Sequence, residues 1–381
     1  MNTSSGGPAP VGLVLSGGGA RAAYQVGVLA ALVERAPSLT FPILTGVSAG
    51  AINTLYLGAY RGSFATAVSA LRREWSALTV DHVYRVRPIQ LGRAALRWLL
   101  QSAVGRRSGP TTLKGLLDME PLRTFLARSL DVGGLEANLA AGRLRAVALT
   151  ATSYSSGDTV TFVQGKPEIP TWKRARRLAV HTRLTIDHVL ASSAIPLLFP
   201  AVRLGDEFYG DGSVRQTAPL APAIHLGAGA VVAIAMRSRE PAQTRGSPLE
   251  YPSAAEALGM VLDSIFLQAL DADAERLERV NRLLAAMPPG VAPPDGLRPL
   301  YLLMLHPSQD LGTLATGHID ALPRTVRLVV ESVGGQRVKA SDFLSYLLFE
   351  PAYTSRLMDL GYSDVERDWP RIAGFLEQAG L

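Results

Sequence analysis

The chain has 381 residues, 48% hydrophobic and 18% charged, enough apolar material for one large α/β domain or two smaller ones. It has no cysteine, which excludes disulfides and thiolate metal sites, and no uninterrupted apolar run of the roughly 18 residues that a membrane span needs. The formal charge of +6 is almost all arginine excess, since lysine occurs only at positions 114, 166, 173 and 339; without zinc-finger spacing, an aromatic-basic signature or a basic tail, it does not argue for nucleic acid.

Residues 1–10 read as a flexible leader without a basic stretch, so no secretory signal is legible. A cytoplasmic protein is expected, with peripheral membrane contact and export without a signal peptide left open. Val11 to Ser16 reads as a strand, followed by Gly17, Gly18 and Gly19 and a helix from about Ala20 to Arg35. Phe41 to Thr45 is a second strand and Ala49 to Arg61 a second helix. Strand, glycine turn and helix, twice in succession, is the rhythm of a mostly parallel sheet covered by helices.

Residues 62–142 read as a helical insertion with much of the basic excess. Within it, Pro88 to Val104 puts Gln90, Arg93, Arg97 and Gln101 on one narrow helical stripe. That is either a lid dipping into an anionic lipid surface or a core helix with arginines at its edge, and the broadly apolar remainder favours the core. Strands are expected at Leu144 to Thr152, Thr159 to Gln164, Ala230 to Met236 and Leu300 to Leu305, with a helix near Ile186 to Ser193. A second basic cluster, Trp172-Lys173-Arg174 with Arg176, Arg177 and Arg183, reads as a solvated helix face in preference to a headgroup site. Proline-rich breaks at Glu240 to Pro252 and Met287 to Pro299 flank a long helical pattern. The expected units are 11–310 as the α/β domain and 311–381 as a helical region packed on it.

Gly46-Val47-Ser48-Ala49-Gly50 matches Gly-x-Ser-x-Gly at a strand-to-helix junction. Such a turn lifts a serine hydroxyl away from the sheet, and the following helix turns its positive end toward the developing charge. A glycine-rich turn whose serine merely caps the helix is the alternative. Gly17-Gly18-Gly19-Ala20-Arg21 lets several backbone N–H groups converge on one point, as an oxyanion requires. It also fits a dinucleotide fingerprint, but that pattern expects an acid at the end of the second strand, where Thr45-Gly46 stands. A nucleophilic serine needs a proton acceptor. Among six histidines only His306 and His318 are placed late enough for the usual order, and neither sits in an informative motif. Gly210-Asp211-Gly212 offers an aspartate on a turn instead, although Asp-Gly is also ordinary turn chemistry.

Taken together, Gly17 to Arg21, Gly46 to Gly50, Ala191-Ser192-Ser193-Ala194-Ile195-Pro196 with Phe199-Pro200, and Asp211-Gly212 resemble the ordered blocks of the bacterial patatin-like phospholipases. The resemblance runs from about Val11 to about Tyr362. It implies a three-layer α/β/α sandwich around a mostly parallel sheet and a Ser-Asp dyad without histidine. On it, Ser48 is the nucleophile, Asp211 the base, and Gly17, Gly18 and Gly19 form the oxyanion hole, with Arg21, Gly46, Gly50 and Gly212 in support. Ser213 departs from the Ala or Gly usual after Asp-Gly and places a hydroxyl near the base. No cofactor or metal is implied, and the substrate class is a lipid or other acyl ester. A carboxylesterase or thioesterase with the same dyad, or a membrane-associated regulator without turnover, are the alternatives. Acyl length, head group, activators and copy number are not legible.

Overall fold

The computed structural model describes residues 10–86, 115–239, 251, 253–332 and 341–380. The leader and the Pro88 to Val104 segment therefore lie outside the described residues, apart from Pro10. The strands are β1 Val11–Leu15, β2 Ile43–Val47, β3 Arg85–Val86, β4 Leu117–Asp118, β5 Ala146–Ser153, β6 Thr159–Gly165, β7 Lys173–Arg174, β8 Arg177–His181, β9 Val202–Leu204, β10 Glu207–Asp211, β11 Ala230–Ile234 and β12 Tyr301–Leu305. β3 and β4 pair only with each other; the rest form one sheet with the path β12-β11-β1-β2-β5-β6-β8-β7, while β10 pairs with β5 and β9. The first five strands of that path run parallel, so the carboxyl ends of β1, β2, β5 and β11 share one edge of the sheet.

Side chains alternate across this sheet and feed two cores. Leu13 and Leu15 join the larger one, with helices α1 Ala23–Arg35, α2 Ala49–Ala59 and α3 Phe64–Ala77. Val14 joins the smaller one, with Ala223 of the helix Ala221–His225 and Leu270 and Ala274 of the helix Ala269–Ala285. The central strands are apolar on both faces because helices cover both. The molecule is thus the expected helix–sheet–helix sandwich around a mixed, mostly parallel sheet. The long helix Pro351–Gln378 lies along α1, where Gly27 leaves room for the Met358 carbonyl and Tyr24 donates to Asp364 at 3.1 Å.

Three local expectations change. The glycine turn after β1 continues as a single 3₁₀ turn, Gly19–Ala22, before α1 begins at Ala23. The basic cluster around Lys173 to Arg177 is a β-hairpin, β7 with β8, in place of a helix face. Arg183 pairs instead with Glu136, at 3.4 Å. The long pattern between the proline-rich breaks divides into two helices, Ala254–Phe266 and Ala269–Ala285.

Candidate active site

β2 ends at Val47, and Ser48 turns the chain with φ 55 and ψ −131 before α2 starts at Ala49. A non-glycine residue held there stores about 1–3 kcal/mol, and such strain is characteristic of a serine displayed on a sharp strand-to-helix turn. The turn is tight because its neighbours lack side chains. A Cβ at Gly46 would strike the Thr54 hydroxyl and the Gly50 carbonyl, and one at Gly50 would strike the Leu15 carbonyl. Ser48 is 2% exposed and occupies the N-cap of α2, at the positive end of the helix dipole. Its amide donates to the Ser192 hydroxyl at 2.9 Å, and that hydroxyl donates to the Thr150 carbonyl at 2.6 Å.

Asp211 arrives by a different route. β6 occupies one side of β5 from Ala146 to Thr152, and β2 pairs along the other side from Ala146 to Thr150. Where β2 leaves, β10 takes over that side antiparallel, so Val47 is opposite Thr150 and Asp211 opposite Ala151. The serine turn and the aspartate are thereby brought to consecutive positions on one strand. Asp211 is 0% exposed and stands at a strand end followed by a 3₁₀ turn. Its backbone is fixed at both ends: the amide donates to Ala194 at 2.8 Å and the carbonyl accepts the Thr152 hydroxyl at 2.9 Å. Gly212 lets this segment lie against the Thr150 carbonyl.

Oδ1 of Asp211 accepts the Ser213 amide at 2.9 Å, whereas Oδ2 and the Ser213 hydroxyl make no well-directed hydrogen bond. Burial lifts the Asp211 pKa to about 7, opposed by the Ser48 hydroxyl and by the Ser213 amide and hydroxyl. Desolvation wins because no cation compensates the carboxylate.

Gly17 lies between the Ser48 turn and Ser213. A Cβ there would lie 2.7 Å from the Ser213 Oγ, 2.8 Å from the Phe266 ring and 2.9 Å from the Ser48 Cβ. Gly19 has φ 56 and leaves no room for a side chain beside the Tyr346 carbonyl. Behind the loop, buried Arg21 reaches Ser345 at 2.7 Å, Asp342 at 3.1 Å and Asp263 at 3.3 Å, and its guanidinium lies 4.2 Å over the Tyr346 ring. Burial opposes its charge, yet Tyr346, Asp263, Tyr353 and Asp342 hold its pKa above the ordinary arginine value.

The histidines are engaged elsewhere. Nδ1 of His82 and His188 accept the amides of Thr79 and Thr185. His181 meets the Ile169 carbonyl, His225 stacks on Trp172, His306 pairs with Asp271 at 3.7 Å, and His318 packs against Tyr353. A cavity of about 680 Å³ at the ends of β11 and β12, lined by Arg21, Met236, Asp271 and His306 among others, includes neither Ser48 nor Asp211. Two residues beside the site carry no sequence signal for their position. Ser192 is one of two serines in the Ala191 to Pro196 block, which does not single it out, and Phe266 lies far along the chain from the turn it covers.

No curated protein matches the chain. Among solved structures, human GIVD cytosolic phospholipase A2 in complex with methyl gamma-linolenyl fluorophosphonate is 15% identical with a TM-score of 0.43. That match covers 97% of this chain and 58% of the other, so this chain spans less than two thirds of it. VipD from Legionella pneumophila is 13% identical with a TM-score of 0.33, over 94% of this chain and 69% of that one. Residues 13–224, more than half of the chain, match the family model described as patatin-like phospholipase. From the first strand through the serine turn to the aspartate and beyond, the chain belongs to the patatin-like phospholipase family.

Proposed function

We propose that the protein is a serine acyl-ester hydrolase of lipids, of phospholipase A or lysophospholipase type, working through Ser48 and Asp211. The observation that carries this reading is the meeting of a strained serine turn with a fully buried carboxylate whose pKa is lifted to about 7. An ordinary aspartate is a feeble base toward a hydroxyl. One lifted to the range usual for histidine is matched to the task near neutral pH.

The Ser48 Oγ attacks the ester carbonyl carbon while its proton passes to Asp211. The new oxyanion is stabilised by the amides of Gly17, Gly18 and Gly19, a contribution of roughly 3–4 kcal/mol for each well-placed donor. When the intermediate collapses, the alcohol leaves with the proton from Asp211 and an acyl-Ser48 remains. Water then gives its proton to Asp211 and attacks the acyl carbon, which frees the acid and restores the serine. Arg21 acts from behind by fixing the glycine loop to the Ser341–Leu347 helix.

The test compares wild type with Ser48→Ala and Asp211→Asn on a fluorogenic medium-chain ester and on phospholipid vesicles. Both variants are expected to fold and to lose at least about a thousandfold in rate, since nucleophile and base act as one unit. Preserved turnover in Ser48→Ala would sink the mechanism. Preference for the soluble ester with no gain from vesicles would leave the dyad and move the substrate to non-lipid esters.

A further inference from the structure

The strands that carry the dyad continue past it into a rim of turns. Tyr209 pairs with Ser153, and one step further the Tyr154 amide donates to the Phe208 carbonyl at 2.9 Å. Phe208 in turn stands opposite Arg203 on β9. Directly opposed residues of antiparallel strands share a face, so Tyr154, Phe208 and Arg203 form one cross-strand row. Tyr154 and Phe208 are 51% and 52% exposed, and the Tyr154 ring closes over Gly210, immediately before Asp211.

The basic hairpin reaches the same edge. β6 begins there at Thr159, and β8 runs parallel to it with Arg177 opposite Thr159. The Thr159 amide donates to the Arg176 carbonyl at 2.9 Å, and its hydroxyl donates to the Arg215 carbonyl at 3.0 Å. One residue thus anchors both the β7–β8 turn and the turn that follows Asp211. Arg176 is held at φ 58. The Arg215 and Arg176 guanidinium nitrogens lie 3.9 and 4.0 Å from the point where a Gly157 Cβ would be, so two cations crowd one exposed spot. Arg176 meets Asp158 at 3.3 Å and the Ser156 carbonyl at 2.8 Å. Across the rim stand Lys173, Arg174, Arg176, Arg177, Arg203 and Arg215. Arg176 pairs with Asp158 and Arg203 with Asp206, and Arg177 lies close enough to Asp273 to favour its carboxylate, so these six cations outnumber the acids they meet among the described residues.

We propose that this rim docks the protein on an anionic phospholipid bilayer, with Arg176 and Arg215 gripping lipid phosphates and the Tyr154–Phe208 pair resting at headgroup level. Guanidinium forks match phosphate oxygens in pairs, and half-exposed aromatic rings are at home where water meets acyl chains. The inference deepens the lipid-hydrolase reading and rests on it for its purpose: docking here brings the ester bond to the sheet edge that holds Ser48. It also gives the arginine excess around residues 173–177 a role.

The experiment is cosedimentation of the full chain with vesicles of phosphatidylcholine alone or mixed with phosphatidylserine. Wild type is compared with Arg176→Asn/Arg215→Gln and with Arg176→Lys/Arg215→Lys; asparagine is chosen because it tolerates the left-handed turn. Wild type is expected to bind the phosphatidylserine vesicles more tightly, and less so as salt rises. The neutral pair is expected to bind at least about tenfold more weakly, near fivefold per charge lost, and the lysine pair to keep most of the binding. Matched thermal melts establish that all three are folded. Equal binding by wild type and the neutral pair, indifference to phosphatidylserine, or arginine-dependent capture of inorganic phosphate without vesicle binding would each overturn the proposal. Cosedimentation needs no turnover, so an inactive wild type would remove the hydrolase reading without touching this result, and failed docking would leave hydrolysis of soluble esters untouched.

Discussion

The amide of Ser48 is held by the hydroxyl of Ser192, a residue 144 positions further along the chain, at 2.9 Å. Because the same hydroxyl donates to the Thr150 carbonyl at 2.6 Å, Ser192 ties the Ser48 turn to the strand that positions Asp211. Ser192→Ala leaves a buried N–H and a buried carbonyl without this partner. A loss of about 1–3 kcal/mol in denaturant unfolding is expected. A fall in kcat larger than any rise in KM should accompany it, since substrate need not touch Ser192. Unchanged kcat in a destabilised variant would reduce Ser192 to a packing residue.

The raised pKa of Asp211 sets the pH dependence. In the proposed mechanism Asp211 accepts a proton and so must be ionised, and kcat/KM is expected to fall below a midpoint near pH 7. The sign for stability is the opposite of the usual carboxylate. Between the ordinary aspartate value of 3.8 and about 7 the folded protein binds a proton that the unfolded chain has released, so this group's contribution declines as pH rises through that window. At about 1.4 kcal/mol per pH unit, a few kcal/mol are at stake. Thermal melts of Asp211→Asn should lack that decline and exceed wild type at pH 8; parallel curves would refute a buried, titrating carboxyl.

Ser213 offers a finer test of the same group. Its hydroxyl is buried without a well-directed partner and acts to lower the Asp211 pKa. Ser213→Ala should therefore move the acid limb of the rate profile to higher pH, leaving stability unchanged or slightly improved below pH 7, where Asp211 is protonated, and lowering it above, where the carboxylate loses the hydroxyl's support. A limb shifted downward would show that the hydroxyl favours the protonated acid.

Arg21 is buried between two carboxylates, and removing it takes a cation from both. Arg21→Met should cost about 3–5 kcal/mol, more than a surface arginine by a wide margin. In denaturant, the variant's activity is expected to disappear at lower concentrations than its secondary structure, because the Gly17–Gly19 loop loses its tether first. Coincident loss of both signals would deny the loop any separate dependence on Arg21.

Gly19→Ala tests the loop directly. The backbone there has φ 56 and faces the Tyr346 carbonyl, so even one methyl group must displace the turn. A destabilisation above about 1 kcal/mol and a kcat reduced at least tenfold are expected, whereas a neutral substitution would mean that the loop adjusts freely.

Much of this was written locally. The alternation of apolar strand, glycine turn and helix announced β1, β2 and their helices, because a parallel strand buried on both faces must be almost wholly apolar. The Ser48 turn was legible as a strand-to-helix junction because Gly46 and Gly50 mark a tight turn there, although a serine that merely caps the helix fits the same pattern. The boundaries moved by a few residues where a 3₁₀ turn or a longer strand shared the same residues. What sequence patterning could not show was everything that depends on edges. Asp211 reads as a turn residue from its glycine neighbours, and it is the end of a strand only because β10 occupies the side of β5 that β2 vacates. The Lys173 to Arg177 run reads as a charged helix face, and becomes a hairpin through pairing with β6. The sequence by itself determined the strand–turn–helix rhythm, the Gly-x-Ser-x-Gly turn and the family. Only the tertiary structure decided that Asp211 is stripped of water, that Ser192 and Ser213 stand beside the dyad, and that Arg176 and Arg215 converge on its rim. Burial and juxtaposition arise from contacts across some fifty to two hundred residues, and no local pattern records them.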